Sequence, residues 1–393
     1  MKILYLTLSR IDLKKQGIYS DLINALKDAG HAVTLVQVME SGKKEQTGLS
    51  NEEDVTILRV AVGALFNVNF ITKGINTVKI GPLVKAAIKK YLKDADFDLV
   101  LYATPPITFA GVVKYAKKRY GCRSFLMLKD IFPQNAADIG LFSEKGPLYL
   151  YFRGRERALY ALSDRIGCMS AGNREYLLAH NPSLPPEKVS IFPNTMRVSE
   201  RTGEPYVRKS GEPLRVVFGG NFGRPQAIGF LIDAIADPGM QEINARFLFV
   251  GNGSETEKVR EAAERLPNME YIPFMEPDKY DAFMQSCDVG LISLDHRFTI
   301  PNYPSRILSY MAMAKPVIAC TDPVTDMRKL VEEEAGCGLW CESNDTDAFR
   351  ECVRKLEADP AFAAKLGECG RQYLETHFDV AGSVKKIEEM MKG

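Results

Sequence analysis

The chain has 393 residues, 46% hydrophobic and 26% charged, with a formal net charge of +1. That length exceeds one ordinary hydrophobic core and divides naturally into two α/β domains. The near-neutral balance excludes a chain-wide attraction to nucleic acid, so any basic surface is local.

Residues 1–9, MKILYLTLS, read as a buried strand. The apolar run is too short for a secretory leader, lacks a small-residue cleavage site and leads straight into a helix. A polar loop holding only Gly17 precedes the helical stripe Ile18, Leu22, Ile23 and Leu26, which stops at Gly30, and residues 32–38 are the next strand. Such a βαβ opening calls for a parallel sheet covered on both faces. A single glycine lacks the spacing of a dinucleotide fingerprint, although it still lets a substrate approach the backbone.

Residues 60–75 are apolar without clear period, and 79–93 are amphipathic, with Lys85, Lys89, Lys90 and Lys93 off the apolar face. This helix is either a solvated surface element or a basic lip resting on anionic lipid. Residues 98–103 form a strand ending at Thr104, a helix covers 108–120, and the strand 124–128 ends in Lys129 and Asp130. Thr104 and Asp130 sit where open parallel sheets bind ligands, beyond the carboxyl ends of strands. Asp130 either serves the chemistry or caps the turn before Pro133. Helix 154–161, strand 165–170, helix 173–180 and strand 189–192 follow. The most apolar window, 99–113, is broken by Pro105 and Pro106 and falls short of a membrane span, so a cytosolic protein is expected, with peripheral membrane contact open to it.

Residues 196–213, charged and rich in Gly, Pro and Ser, read as a linker between domains 1–195 and 214–376. Strand 214–218 then meets the turn Gly219, Gly220, Asn221, Phe222 and Gly223, and Ile228, Leu231, Ile232 and Ile235 recur at helical spacing. A helix starting near Pro225 and Gln226 makes this turn an anion cradle, with Arg224 at its rim. Strand 246–250 repeats the device with Gly251 and Gly253. Strands 269–273, 289–294, 316–320 and 338–340 and helices 346–356 and 361–376 follow, and 377–393 is a terminal helix with Val380, Val384, Ile387 and Met391 on one face.

Three lines narrow the chemistry. A dinucleotide oxidoreductase needs an acid after the second strand of the nucleotide fold, and here Gly251, Asn252, Gly253 and Ser254 stand there. The Asp-x-Asp strings (Asp94, Asp96 and Asp98; Asp345 and Asp347) lie before a strand or at a helix start, where no metal is needed to explain them. The eight cysteines form no paired framework and read as reduced core thiols, and the histidines lack metal spacing, so no metal is expected. The cations suited to a diphosphate are Arg224 and Arg306, the latter behind the helix start at Pro304 and Ser305. Arginine's fork bonds two phosphate oxygens at once; the bland alternative pairs Arg306 with a nearby acid.

In this order, KDIFPQ (129–134), MSAGNREYLL (169–178), VSIFPN (189–194), GGNFGRPQ (219–226), FVGNGSE (249–255), CDVGLISL (287–294), PSRILSYMAMAKPVIA (304–319) and EEAGCGL (333–339) resemble the retaining glycosyltransferases of family 4, bacterial surface-polysaccharide branch. The resemblance implies the GT-B fold, two Rossmann-like doubly wound domains facing a cleft, with the C-terminal helix crossing back to the first. It implies a nucleotide-diphosphate sugar, UDP-linked, as donor substrate, no cofactor, and a lipid-linked saccharide acceptor at the membrane face. Arg224 and Arg306 would neutralise the diphosphate, aided by Gly220, Asn221, Gly223, Gln226, Gly251 and Ser305. The base would lie at Phe274 and Met275 and the acceptor near Gly17, Tyr19, Thr104 and Asp130. The chain departs from the family where two glutamates are usual, holding Pro301 and Ser309, and where many members have a histidine, holding Asp130. Ser309 is left to bond a ribose hydroxyl. A non-catalytic nucleotide-binding partner and a sugar-nucleotide epimerase or hydrolase are the alternatives.

Overall fold

The computed structural model describes residues 1–40, 46–63, 70–104, 107–199, 208–209, 211–275 and 277–392. They form two compact units, Met1–Arg197 with Val380–Gly393, and Val198–Asp379.

Unit 1 carries strands β1 (Lys2–Thr7), β2 (Ala32–Glu40), β3 (Gly48–Glu52), β4 (Val55–Val62), β5 (Leu99–Ala103), β6 (Arg123–Leu128), β7 (Arg165–Cys168) and β8 (Val189–Ile191). Its helices are α1 (Ile18–Asp28), α2 (Phe70–Tyr91), α3 (Ala110–Tyr120), α4 (Gln134–Asp138), α5 (Pro147–Leu162) and α6 (Ala171–His180). The sheet order is β3-β4-β2-β1-β5-β6-β7-β8, parallel except for the edge hairpin β3-β4. The central strands are buried apart from the first residues of β1 and β6, as a sheet covered on both faces requires. Chain order reverses between β1 and β5, so the loops after these strands open the crevice where α/β sheets bind ligands.

Unit 2 has β9 (Leu214–Asn221), β10 (Ala245–Asn252), β11 (Met269–Ile272), β12 (Val289–Ser293), β13 (Val317–Thr321) and β14 (Gly338–Glu342). Its helices are α7 (Ile228–Ala236), α8 (Pro238–Gln241), α9 (Thr256–Arg265), α10 (Pro277–Gln285), α11 (Arg306–Ala312), α12 (Thr346–Ala358) and α13 (Pro360–His377), and α14 (Val380–Lys392) ends the chain in unit 1. The sheet, β11-β10-β9-β12-β13-β14, has its switch point between β9 and β12.

Sequence periodicity and structure differ at several boundaries. Residues 60–62, taken above with an apolar run, are the end of β4, which folds back on β3. Helix α5 begins seven residues before the expected 154, because its first turns point leucines outward and so break the apolar period. Residues 64–69, the proline pair 105–106 and much of the expected linker (200–207 and 210) lie outside the described residues, as do the side chains of 70–78. Of that linker, Arg197 N–H donates to Asp21 Oδ2 at 2.8 Å within unit 1, whereas Ser199 accepts at its carbonyl from Arg371 Nη2 at 2.7 Å and Arg208 Nη2 donates to the Glu357 carbonyl at 2.6 Å within unit 2. The C-terminal helix begins at Val380 rather than 377 because Val380 N–H donates to the Met196 carbonyl at 3.0 Å, and Val380, Val384 and Ile387 join the unit 1 core. Among the described residues no helix is long and apolar enough to cross a membrane.

Candidate nucleotide-sugar site

Strands β9 and β10 run in register, with Gly220 opposite Gly251 and Asn221 opposite Asn252. Gly251 adopts φ +139°, a region closed to ordinary side chains, and a Cβ there would stand 2.0 Å from the Gly220 carbonyl oxygen. The two glycine turns are laced together, Phe222 N–H donating to the Asn252 carbonyl at 2.9 Å and Glu255 N–H to the Phe222 carbonyl at 2.8 Å.

The helix after the first turn starts later than its sequence implies. Residues Arg224–Gln226 form one 3-10 turn, Ala227 is left-handed, and α7 begins at Ile228. Gln226 does not head the helix: its Oε1 accepts from Gly223 N–H at 3.1 Å and its own N–H donates to the Gly223 carbonyl at 3.0 Å. Gln226 therefore closes the glycine turn, and the expected contribution of a helix N-terminus at Gln226 is withdrawn. Asp295 N–H donates to the Pro225 carbonyl at 2.9 Å, fixing this turn to the chain leaving β12. Arg224 is exposed and enters no ion pair among the described residues.

Arg306 opens α11, and its guanidinium carbon lies 4.5 Å from the centre of the Phe218 ring. Its Nη2 comes within 3.7 Å of where a Gly220 Cβ would stand, so the cation lies on the first glycine turn. The alternative of an acid partner fails: Arg306 forms no salt bridge among the described residues, and its enclosed Nη1 has no hydrogen-bond partner. Burial pulls the guanidinium below the usual arginine range, with Tyr310 and Tyr280 opposing. An enclosed cationic N–H without a partner is costly unless an anion completes it. Ser305 is exposed and Ser309 half-buried, one helical turn apart.

Sequence reading missed the two tyrosines that shape this place. Tyr310 Oη donates to the Val217 carbonyl at 3.3 Å or the Leu291 carbonyl at 3.2 Å, linking the strands on either side of the switch point. Tyr280 fills the space beside Gly219, where an added Cβ would fall 1.9 Å from its hydroxyl. The available signal for Tyr310 was its spacing, four residues beyond Arg306 on one helix face. Phe274, just past β11, is 64% exposed, and Met275 beside it is half-buried.

In unit 1 the expected acceptor residues gather around the other switch point. Gly17 precedes α1 with extended backbone, and Tyr19 stands on its first turn. Asp130 follows β6, its Oδ1 accepting from Asn135 Nδ2 at 2.5 Å. Burial raises the Asp130 carboxyl to about 6, against the Asn135 and Ile131 hydrogen bonds, with Glu156 adding to the rise. Burial also raises the Tyr19 phenol, and the charge of Asp130 adds to it. Lys129, its Nζ 5.4 Å from the Phe192 ring centre, is brought by burial down to about 7. Thr104 is corrected from substrate contact to support. It is 2% exposed, and its hydroxyl donates to the Asp130 carbonyl at 3.1 Å and accepts from Lys129 N–H at 3.1 Å.

The acidic strings do structural work. Asp98 accepts from Lys2 N–H at 2.7 Å, Asp345 caps α12 by accepting from Ala348 N–H at 2.9 Å, and Asp347 pairs with Arg350 at 2.5 Å.

Residues 19–200 match the family model Glycosyltransferase Family 4, and residues 213–359 match Glycosyl transferases group 1. The chain is 23% identical over 302 residues to the "Probable glycosyltransferase WbjE" of Pseudomonas aeruginosa, spanning 74% of this chain and 73% of that one. It is similar to the sucrose-phosphate synthase of Thermosynechococcus elongatus at TM-score 0.76 and 15% identity, covering 100% of this chain and 98% of that one. An Escherichia coli trehalose-6-phosphate structure bound with UDP-2-fluoro glucose gives 0.75 at 11% identity, covering 100% and 99%. Anabaena HepE in complex with UDP-glucose gives 0.69 at 16%, again covering 100% and 99%. The fold shared with these structures is GT-B.

Proposed function

We propose, for a chain that belongs to the family 4 glycosyltransferases, that it moves a sugar from a UDP-sugar to a lipid-linked saccharide in surface-polysaccharide assembly, with retention at the anomeric carbon. The observation that carries the donor reading is Arg306, a half-buried cation whose enclosed Nη1 is unpaired, lying on the glycine turns at the β9/β12 switch point. The leaving group of a nucleotide sugar is a diphosphate, the anion such a cation lacks. The UDP carried by the HepE complex favours uridine as the base.

In this reading Arg306 bonds the diphosphate from within and Arg224 from the rim. Gly220, Asn221, Gly223 and Gly251 supply close backbone, with Gln226 holding the turn. Ser305 and Ser309 meet the ribose and sugar side, and Phe274 with Met275 flank the base. The acceptor lies by Gly17 and Tyr19, oriented by the Asp130 carboxylate, which Asn135 bonds directly and Thr104 supports through the Asp130 backbone. The acceptor oxygen bonds to the anomeric carbon on the face the diphosphate leaves, the carbon–oxygen bond to phosphate breaks, and the acceptor proton passes to that phosphate oxygen. The cations stabilise the charge developing there, so no metal is assigned.

If Asp130 orients the acceptor as a carboxylate, kcat/KM falls as pH drops through about 6. Asp130→Asn is expected to abolish that limb and lower turnover at pH 7. A raised carboxyl binds its proton more tightly in the folded state, so native stability falls as pH rises from the unfolded value toward 6. Asp130→Asn should therefore leave melting at pH 7 unchanged or higher. A pH–rate profile with matched melting curves checks both signs.

Pro301 and Ser309, where the family usually has glutamates, favour one second reading, a nucleotide-binding partner without turnover. The deciding experiment follows UDP release from a panel of UDP-sugars, with and without lipid-linked saccharides. Release that requires acceptor supports transfer; release without acceptor indicates a hydrolase, and binding without release the partner. Stabilisation by NADH alone would refute all three.

A further inference from the structure

Four of the nine exposed large apolar side chains among the described residues fall within eleven positions: Leu141 at 53%, Leu148 at 37%, Leu150 at 61% and Tyr151 at 46% exposure. Scattered singly such residues need no explanation; exposed together along the loop before α5 and its first turns, with Leu148 and Leu150 on the two flanks of this ridge, they mark a surface that leaves water. Lys145, Arg155 and Arg157 are exposed in the same stretch, and the one exposed acid of residues 141–157, Glu144, accepts from Gln134 Nε2 at 2.6 Å. Arg155 stands over Tyr151, 5.3 Å from the ring centre.

The ridge is held rigid from beneath. Phe132, Phe142 and Phe152 meet mutually at 5.0 to 6.4 Å between ring centres, and Tyr149 Oη donates to Gln134 Oε1 at 2.6 Å. Phe132 and Gln134 belong to the segment that begins with Lys129 and Asp130, so the ridge is joined within a few residues to the carboxylate assigned to the acceptor. On the flanking side α5 packs against α3, and α3 against α2. Lys85 and Lys89 of α2 lie 5.7 and 5.4 Å from the Tyr115 ring of α3, and Lys114 and Lys118 of α3 are exposed.

We propose that the ridge Leu141–Leu148–Leu150–Tyr151, with Lys145, Arg155 and Arg157 at its border, inserts into the interfacial layer of an anionic bilayer and seats unit 1 there. The proposal rests on the lipid-linked-acceptor reading for its purpose. Leucines and a tyrosine enter the acyl boundary while arginines and a lysine remain among anionic headgroups. Charge sets this occupant above a second copy of the chain, because a two-fold pairing of the ridge brings its cations against their own images.

The test is co-sedimentation with phosphatidylcholine vesicles, pure or with about one-third phosphatidylglycerol. The wild-type chain is expected to bind the anionic vesicles more tightly. Leu148→Ser with Leu150→Ser should weaken that binding about tenfold or more. Arg155→Gln with Arg157→Gln should remove much of its salt dependence. Each variant is also melted with UDP, and a UDP shift equal to wild type shows that fold and donor site are intact. No vesicle binding by wild type, or undiminished binding by the leucine variant, overturns the proposal while leaving the transferase reading standing. A wild-type dimer in lipid-free gel filtration that the leucine variant loses overturns it in favour of self-association. Absence of any UDP shift in wild type is failure of the donor reading, whatever the vesicles show.

Discussion

Arg306→Ala is expected to lower kcat/KM for sugar transfer by two to three orders of magnitude, about the loss of one donor aimed at developing charge. The size follows from the surroundings: the guanidinium has no carboxylate partner among the described residues and lies on the Phe218 ring beside the Gly220 turn. In so enclosed a place a cation acts on the leaving diphosphate more strongly than it would in water. Stability should move the other way or not at all, because the substitution removes a half-buried charge with an enclosed, unpaired Nη1. Arg306→Lys keeps a point charge but loses the fork and the stacking, so it should recover only part of the loss. Steady-state kinetics beside melting curves separates these outcomes, and near-normal turnover in Arg306→Ala removes the residue from the site.

Gly251→Ala is expected to destabilise unit 2 by about 2–4 kcal/mol and to remove its response to UDP. The new methyl would meet the Gly220 carbonyl oxygen at 2.0 Å, and the backbone at φ +139° disfavours any side chain. Neither strand can retreat, because β9 and β10 are paired from Leu214 to Asn221 and the turns beyond are cross-bonded. Gly229→Ala on α7 is the control: its Cβ meets nothing within 4 Å, and the gain in helix propensity should stabilise by up to about 1 kcal/mol. Urea midpoints for the two variants, with and without UDP, check the contrast.

The alternation of apolar strands and amphipathic helices made the two doubly wound units legible, since period and length are local properties. The late start of α7 was not legible, because Ala227 takes a left-handed conformation and Gln226 turns back on Gly223. Helix α5 escaped for the opposite reason: PLYLYF is apolar all round, and only folding decides that Phe152 turns in while Leu150 turns out. At the site, residue type alone pointed to Arg306, since few side chains can clamp a diphosphate. Its isolation from every described acid is a property of three-dimensional arrangement, as is the burial that raises Asp130. Thr104 was read as a contact because strand ends carry ligands, whereas its hydroxyl is occupied by a turn 25 residues on. Tyr280 and Tyr310 work through glycines far from them in sequence, and no local pattern announces such pairs.

The most direct measurement is calorimetric titration of uridine and UDP into wild-type chain and Arg306→Ala. If Arg306 is the diphosphate receptor, wild type binds UDP far more tightly than uridine and the variant loses most of that preference, with uridine affinity little changed. An undiminished preference for UDP in Arg306→Ala would contradict the account.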